Sequence, residues 1–114
     1  MDGFFVIAFT GTAGSGFGML ALHNGIIAGA DVAGATYDGS YTLDSSAQAL
    51  NIQITMNAPA GITPVQTGIP TTTPLSMPIT GSLPEKNINS ETPSLLQTPL
   101  GPVNVLLRKI RDFV

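Results

Sequence analysis

Residues 16–31 have the sequence GFGMLALHNGIIAGAD, in which Asn24 and Gly25 separate two apolar runs. An Asn-Gly pair between apolar runs is a strong signal for a two-residue β-hairpin, because both central residues of a type I′ turn need a positive φ. The stretch therefore predicts two antiparallel strands, at residues 16–23 and 26–33, joined by this turn.

Alternating polar and apolar residues predict further strands after this hairpin. Residues 36–44 alternate, with Tyr37 and Tyr41 on one face, and residues 49–57 alternate more regularly. A period of two is typical of a strand that buries one face. The predicted inward side chains of the second segment are Leu50, Ile52, Ile54 and Met56.

The remaining segments give β signals of a different kind. Residues 4–10 are apolar on both faces, and this predicts that a subunit interface covers the outer one. Residues 58–73, rich in Pro, Gly and Thr, predict a long loop. Pro74 and Pro78 require the strand that follows to be an edge strand or irregularly paired. Weaker strand patterns lie at residues 75–80 and 94–98, and residues 103–110 form a good β run.

About eight short strands at close spacing predict one all-β domain spanning residues 1–114, either a closed barrel or a sandwich. Closure would remove the exposed strand edges that so apolar a chain could not leave open. An eight-stranded barrel is just wide enough to hold packed side chains or one small ligand. The candidate cavity-lining residues are Phe5, Ile7, Phe9, Tyr37, Tyr41, Leu50, Ile52, Ile54 and Met56.

Composition excludes several classes of function. Charged residues make up 10% of the chain and the net charge is −3, whereas soluble domains average about 25% charged residues. The acidic balance argues against direct binding of nucleic acid. The chain has no cysteine, which excludes a disulfide scaffold, a thiolate zinc site and a cysteine nucleophile.

The sequence predicts a cytoplasmic protein that does not enter the membrane. No Lys or Arg precedes the first apolar run, and no stretch reaches the length of a transmembrane helix. The C-terminal cluster of Arg108, Lys109 and Arg111 is interpreted as the solvated end of a terminal strand, because three cations are too few to indicate nucleic-acid binding.

No motif for catalysis, cofactor binding or metal binding emerges. The run GTAGSGFG at residues 11–18 lacks the Lys-Ser/Thr of a phosphate-binding loop and precedes a predicted strand instead of a helix. His23 is the only histidine, and no serine lies in a nucleophile motif beside it. We therefore expect no enzyme activity, no cofactor and no metal. Asp31, among small residues, is predicted to be a structural carboxylate that accepts backbone N–H groups.

The order of several short motifs resembles that of the GrlR-like family, negative regulators of type III secretion gene expression. The motifs are DGFFVIAF at residues 2–9, GFGMLALHNG at 16–25, IAGAD at 27–31 and YDGSY at 37–41. The resemblance covers residues 2–57 and continues more weakly to residue 111.

The resemblance implies an eight-stranded antiparallel lipocalin-like barrel, a homodimer, and a non-enzymatic role in binding a transcription activator. The family's acidic E-D-E-D loop, which is thought to contact the activator, corresponds here to LDSSAQ at residues 43–48. Asp44 is its only acid. The family's charged contact is therefore not expected at the candidate partner loop of this chain, which consists of Asp44, Ser45 and Ser46. A shared barrel also does not by itself fix a shared partner.

Two hypotheses for the function therefore stand. The first is a dimeric regulatory module that binds another protein, such as a transcription regulator. The second is a carrier or sensor of a small apolar molecule held inside the barrel. The two are compatible, because a bound ligand could switch the partner interaction.

Overall fold

Eight antiparallel strands account for most of the chain, as predicted. The computed structural model describes residues 1–114. One 3₁₀ turn, Glu85–Asn87, lies between the sixth and seventh strands. The strands are β1 (Gly3–Gly11), β2 (Gly14–His23), β3 (Ile26–Asp31), β4 (Thr36–Asp44), β5 (Ala49–Ala58), β6 (Leu75–Pro84), β7 (Ser94–Thr98) and β8 (Gly101–Arg111).

The strands form a nearly closed barrel, which is consistent with the lipocalin-like expectation. Their order in the sheet is β6-β5-β4-β3-β2-β1-β8-β7, so that β1 to β6 form a meander and β8 pairs with β1. The outer strands β6 and β7 lie side by side without a backbone ladder. The side chain of Leu96 on β7 fills the space above Gly81 on β6.

The local turn and edge predictions are confirmed. Asn24 has φ 50° and Gly25 has φ 80°, the two positive values of a type I′ turn, and β2 pairs with β3 across them. Pro78 lies in an edge strand, β6, which pairs only with β5. This strand continues to Pro84, beyond the predicted end at residue 80, because an edge strand tolerates a residue without an N–H donor.

The core occupies the inside of the barrel and follows from the period of two. In β5 the inward residues are buried and the residues between them are exposed, as predicted. The most deeply buried large side chains are Phe5, Leu22, Ile27 and Leu50. Each of these lies near the barrel end that holds the turn at Asn24 and Gly25.

Strand β4 comes unusually close to β5 at one inward glycine. A Cβ atom built on Gly39 would lie 2.0 Å from the carbonyl oxygen of Gln53, so no larger residue fits without moving a strand. Such glycines allow the strong coiling that a small barrel requires. The structure contains no helix with the length and apolar character needed to span a membrane.

Candidate functional site

The barrel interior contains a cavity of about 200 Å³ to which all eight strands contribute side chains. A barrel of this size is usually just filled by its own side chains. An inward position without a side chain, Gly16 on β2, is among the lining residues.

The two barrel ends differ. The mouth end, as we call it, carries four connections, at residues 12–13, 32–35, 59–74 and 99–100, and residues from two of them line the cavity. The opposite end carries the turns at residues 24–25 and 45–48, the segment at 85–93, and both termini. The cavity extends from Leu22, Ile27 and Leu50 toward the opposite end to Asp31, Thr63 and Val65 at the mouth end.

Most of the candidate cavity-lining residues do line the cavity in the structure. These residues are Ile7, Phe9, Tyr37, Leu50, Ile52, Ile54 and Met56. Phe5 and Tyr41 are buried in the core but are not among the lining residues. The ammonium of Lys109 lies 5.9 Å from the centroid of the Phe5 ring.

The long loop at residues 59–74 folds across the mouth end and helps to enclose the cavity. Val65 packs against the core, and its carbonyl oxygen accepts a hydrogen bond from the Ala13 N–H at 2.8 Å. The side-chain amide of Gln66 donates to the Thr98 hydroxyl at 3.1 Å. The sequence analysis identified this segment as a loop but did not assign it to the site, because its Pro-rich pattern has no period that indicates where it packs.

Asp31 ends β3 at the rim of the cavity and organises the loop that follows. Its Oδ1 accepts hydrogen bonds from the N–H groups of Ala33 at 3.0 Å and Ala35 at 3.1 Å. Its Oδ2 accepts one from the Tyr37 hydroxyl at 2.6 Å. Burial raises the pKa of Tyr37 far above its ordinary value, and the hydrogen bond to Asp31 raises it further. Tyr37 therefore stays protonated and holds the carboxylate in place.

A second polar cluster, which the sequence analysis missed, lies at the opposite end around Asp2. The Tyr41 hydroxyl donates to Oδ1 of Asp2, and His23 Nδ1 lies 3.2 Å from Oδ2. The Asn24 side-chain amide donates to His23 Nε2 at 3.2 Å, and the His23 ring stacks on Phe113 with centroids 4.2 Å apart. The cluster ties both ends of the chain to β2 and β4.

The candidate partner loop lies in the β4–β5 turn at the opposite end. Asp44 Oδ1 accepts hydrogen bonds from the Ser46 N–H and hydroxyl and from the Ala47 N–H. These bonds lower the pKa of Asp44, and the Ser46 hydroxyl contributes most. The carboxylate is thus engaged in its own turn, whereas Ser45 and Ser46 are exposed.

The outer surface of β1, β2 and β3 exposes a continuous group of apolar side chains. We call it the outer apolar face. Its large exposed members include Phe17 and Met19, which are 58% and 50% exposed. A shallow depression beside Met19 is formed by the small residues Ala21, Ala28 and Ala30. The other large exposed members of the face are Val6, Ile26 and Val32.

Comparison with protein-family models gives no match, and comparison with curated proteins gives none either. No group of three or more His, Asp or Glu side chains in the structure could hold a metal ion.

Proposed function

We propose that this protein is a non-enzymatic binding module that holds one small apolar molecule inside its barrel, as a carrier or a sensor. The observation that carries the proposal is the apolar cavity of about 200 Å³ at the centre of the fold. Its lining combines many apolar side chains with a few polar groups, the usual composition of a ligand pocket. A cytoplasmic location, expected from the sequence, is part of the same proposal.

The volume limits the size of the ligand. An engineered apolar cavity of about 150 Å³ stays dry and binds benzene. At the same cavity volume per non-hydrogen atom, this cavity accommodates a molecule of about eight non-hydrogen atoms. A fatty acid with a long chain or a sterol is too large unless the loop at residues 59–74 moves.

A bound ligand should occupy space in the cavity that a larger side chain can also fill. We expect n-hexanol to bind the unaltered protein and to shift the methyl resonances of Ile7, Ile52 and Ile54 in an NMR titration. The variant Ile54→Phe, which extends a ring into the cavity, is expected to abolish the shifts of the Ile7 and Ile52 methyl resonances while the protein remains folded.

The matched control is Ile26→Phe, which makes the same change at an exposed position on the outer surface. This variant should bind n-hexanol as the unaltered protein does. Saturating n-hexanol that leaves the inward methyl resonances unchanged would contradict the proposal.

A second candidate function is favoured by the outer apolar face. Monomeric proteins rarely expose large continuous apolar patches, and such patches usually mark interfaces. We propose a second copy of this chain as the occupant of the face. The face combines projecting side chains, Phe17 and Met19, with a depression formed by alanines. In a two-fold arrangement the projections of one copy can enter the depression of the other.

This second candidate retains the regulatory role implied by the GrlR-like resemblance, in which the dimer binds a transcription activator and keeps it from DNA. The net charge of −3 supports binding to a protein in preference to DNA. The β4–β5 turn offers Ser45 and Ser46 as exposed polar groups, but its one carboxylate is engaged within the turn. An activator would therefore be held by contacts other than an acidic loop.

A further inference from the structure

We propose that the cavity ligand is a small amphiphile with a cationic amine head group, and that Asp31 and Tyr37 bind this head group at the mouth end. This inference rests on the proposed ligand-binding function and specifies the chemistry of the ligand. It follows from the charge of the cavity lining, from the unused hydrogen-bonding capacity of Asp31 and Tyr37, and from the distribution of cations along the chain.

Asp31 is the only charged residue among the side chains that line the cavity. It occupies an inward position at the mouth end of β3, whereas the deeper lining is apolar. The remaining polar side chains of the lining are neutral, namely Ser15, Tyr37, Thr63, Gln66 and Thr98. A molecule in the cavity therefore meets an apolar interior and a rim with one negative charge.

No cation of the protein neutralises this carboxylate. The four connections of the mouth end contain no Lys or Arg, and the cations of the chain are Lys86, Arg108, Lys109 and Arg111. Lys86 lies in the 3₁₀ turn and the other three near the end of β8, all toward the opposite end. The ion pairs of the structure involve other carboxylates, those of Asp2, Glu91 and Asp112.

The carboxylate also has room for one more donor. An ionised carboxylate offers about four acceptor positions, and Asp31 uses three of them on Ala33, Ala35 and Tyr37. The free position is on Oδ2, which accepts a single hydrogen bond. The Tyr37 oxygen, 2.6 Å from Oδ2, donates its hydrogen to Asp31 and can still accept one. An ammonium group can donate to both atoms at once.

The test compares three probes that share a six-carbon chain and differ in head group: n-hexylamine, n-hexanol and hexanoate. At pH 7 we expect n-hexylamine to bind about tenfold more tightly than n-hexanol, because a hydrogen bond to a charged group is stronger than one between neutral groups. Hexanoate should bind more weakly than n-hexanol, since its charge has the same sign as Asp31. Nuclear Overhauser effects should place the methylene group next to the nitrogen beside the Tyr37 ring.

Two variants assign the preference to Asp31. Asp31→Asn keeps an oxygen acceptor for Ala33 and Ala35 but removes the charge, so the preference for the amine should disappear while n-hexanol still binds. Asp38→Asn removes the same charge from an exposed, outward position on β4 and should leave the preference unchanged. The probe comparison on the unaltered protein needs no variant and stands even if Asp31→Asn fails to fold.

The outcomes separate this inference from the function on which it rests. If no probe binds, the ligand-binding function itself fails. If all three probes bind with similar affinity, the cavity function stands and the amine inference is overturned. An amine preference that survives in folded Asp31→Asn would also overturn it.

Discussion

At the scale of single residues, two aspartates have comparable roles at the two ends of the barrel. Asp31 accepts a tyrosine hydroxyl and two backbone N–H groups at the mouth end. Asp2 accepts a tyrosine hydroxyl and the Asn24 N–H at the opposite end. Each carboxylate fixes the position of an inward tyrosine on β4, and so β4 is anchored at both of its ends.

The contacts of Asp2 make the stability of the fold depend on pH. The hydrogen bond from Tyr41 is the main reason that the pKa of Asp2 is lowered from its ordinary value of 3.8. A lowered folded-state pKa stabilises the fold above the unfolded value, and this contribution is lost as the pH falls through the folded value. We therefore expect Asp2→Asn to lower the free energy of unfolding at pH 7 and to have little effect well below pH 3.8.

Urea denaturation of both proteins across this pH range measures the difference directly. Tyr41→Phe serves as the companion variant, because it removes the main donor and should raise the pKa of Asp2 toward its ordinary value. A stability difference between the unaltered protein and Asp2→Asn that is constant from neutral to acidic pH would contradict this role.

Residue patterns predicted the placement of some site residues and could not predict others. The inward row of β5 follows from its period of two, and Asp31 stood out as a carboxylate among small residues. Asp2 gave no comparable signal, because its partner Tyr41 lies far along the chain and no local pattern links them. The contact between Gln66 and Thr98 could not be predicted for the same reason, since it depends on how a long loop folds.

At the scale of elements, the coiling of β4 around β5 depends on a glycine. We expect Gly39→Ala to lower the free energy of unfolding by about 1–3 kcal/mol, the usual cost of overpacking a well-packed site. Its new methyl group would lie 2.0 Å from the Gln53 carbonyl oxygen. Thermal or urea denaturation measures the loss.

Gly14→Ala is the matched control at the start of β2. A Cβ atom at Gly14 would have no neighbour within 4 Å, so the change should alter stability by no more than about 0.5 kcal/mol. Equal effects of the two substitutions on the free energy of unfolding would show that β4 and β5 can move apart without loss of stability.

Elements were predictable where their signals are local. The Asn24-Gly25 turn and the alternation in β5 each lie within a dozen residues. The edge position of β6 was predictable because Pro78 has no N–H group to donate to a second neighbouring strand. The pairing of β1 with β8 and the side-by-side arrangement of β6 and β7 have no local signature, because they arise from closure of the whole sheet.

At the scale of the whole molecule, the outer apolar face determines the expected oligomeric state. We expect a dimer in native mass spectrometry and in sedimentation. Met19→Lys, which places a charge in the centre of the face, should yield a folded monomer because the buried ammonium would have no partner.

Leu43→Lys is the control for this test, because Leu43 is 48% exposed, close to the 50% of Met19, but lies on β4 at the opposite end. It should remain dimeric. An unaltered protein that is monomeric at all concentrations would exclude a second copy as the occupant of the face. A second polypeptide at fixed stoichiometry, purified with the protein from its own host, would support the regulatory role.

The pairing of β1 with β8 has a consequence for how the protein is made. Strands β1 to β6 can form successive hairpins as they emerge from the ribosome, because each pairs with its neighbour in sequence. Strand β1, which extends from Gly3 to Gly11, receives its second partner only when β8, ending at Arg111, has been synthesised. Until then its free backbone edge and apolar residues are open to pairing with another nascent chain. Slow translation of the last strand would therefore prolong the period in which the chain is most prone to aggregate.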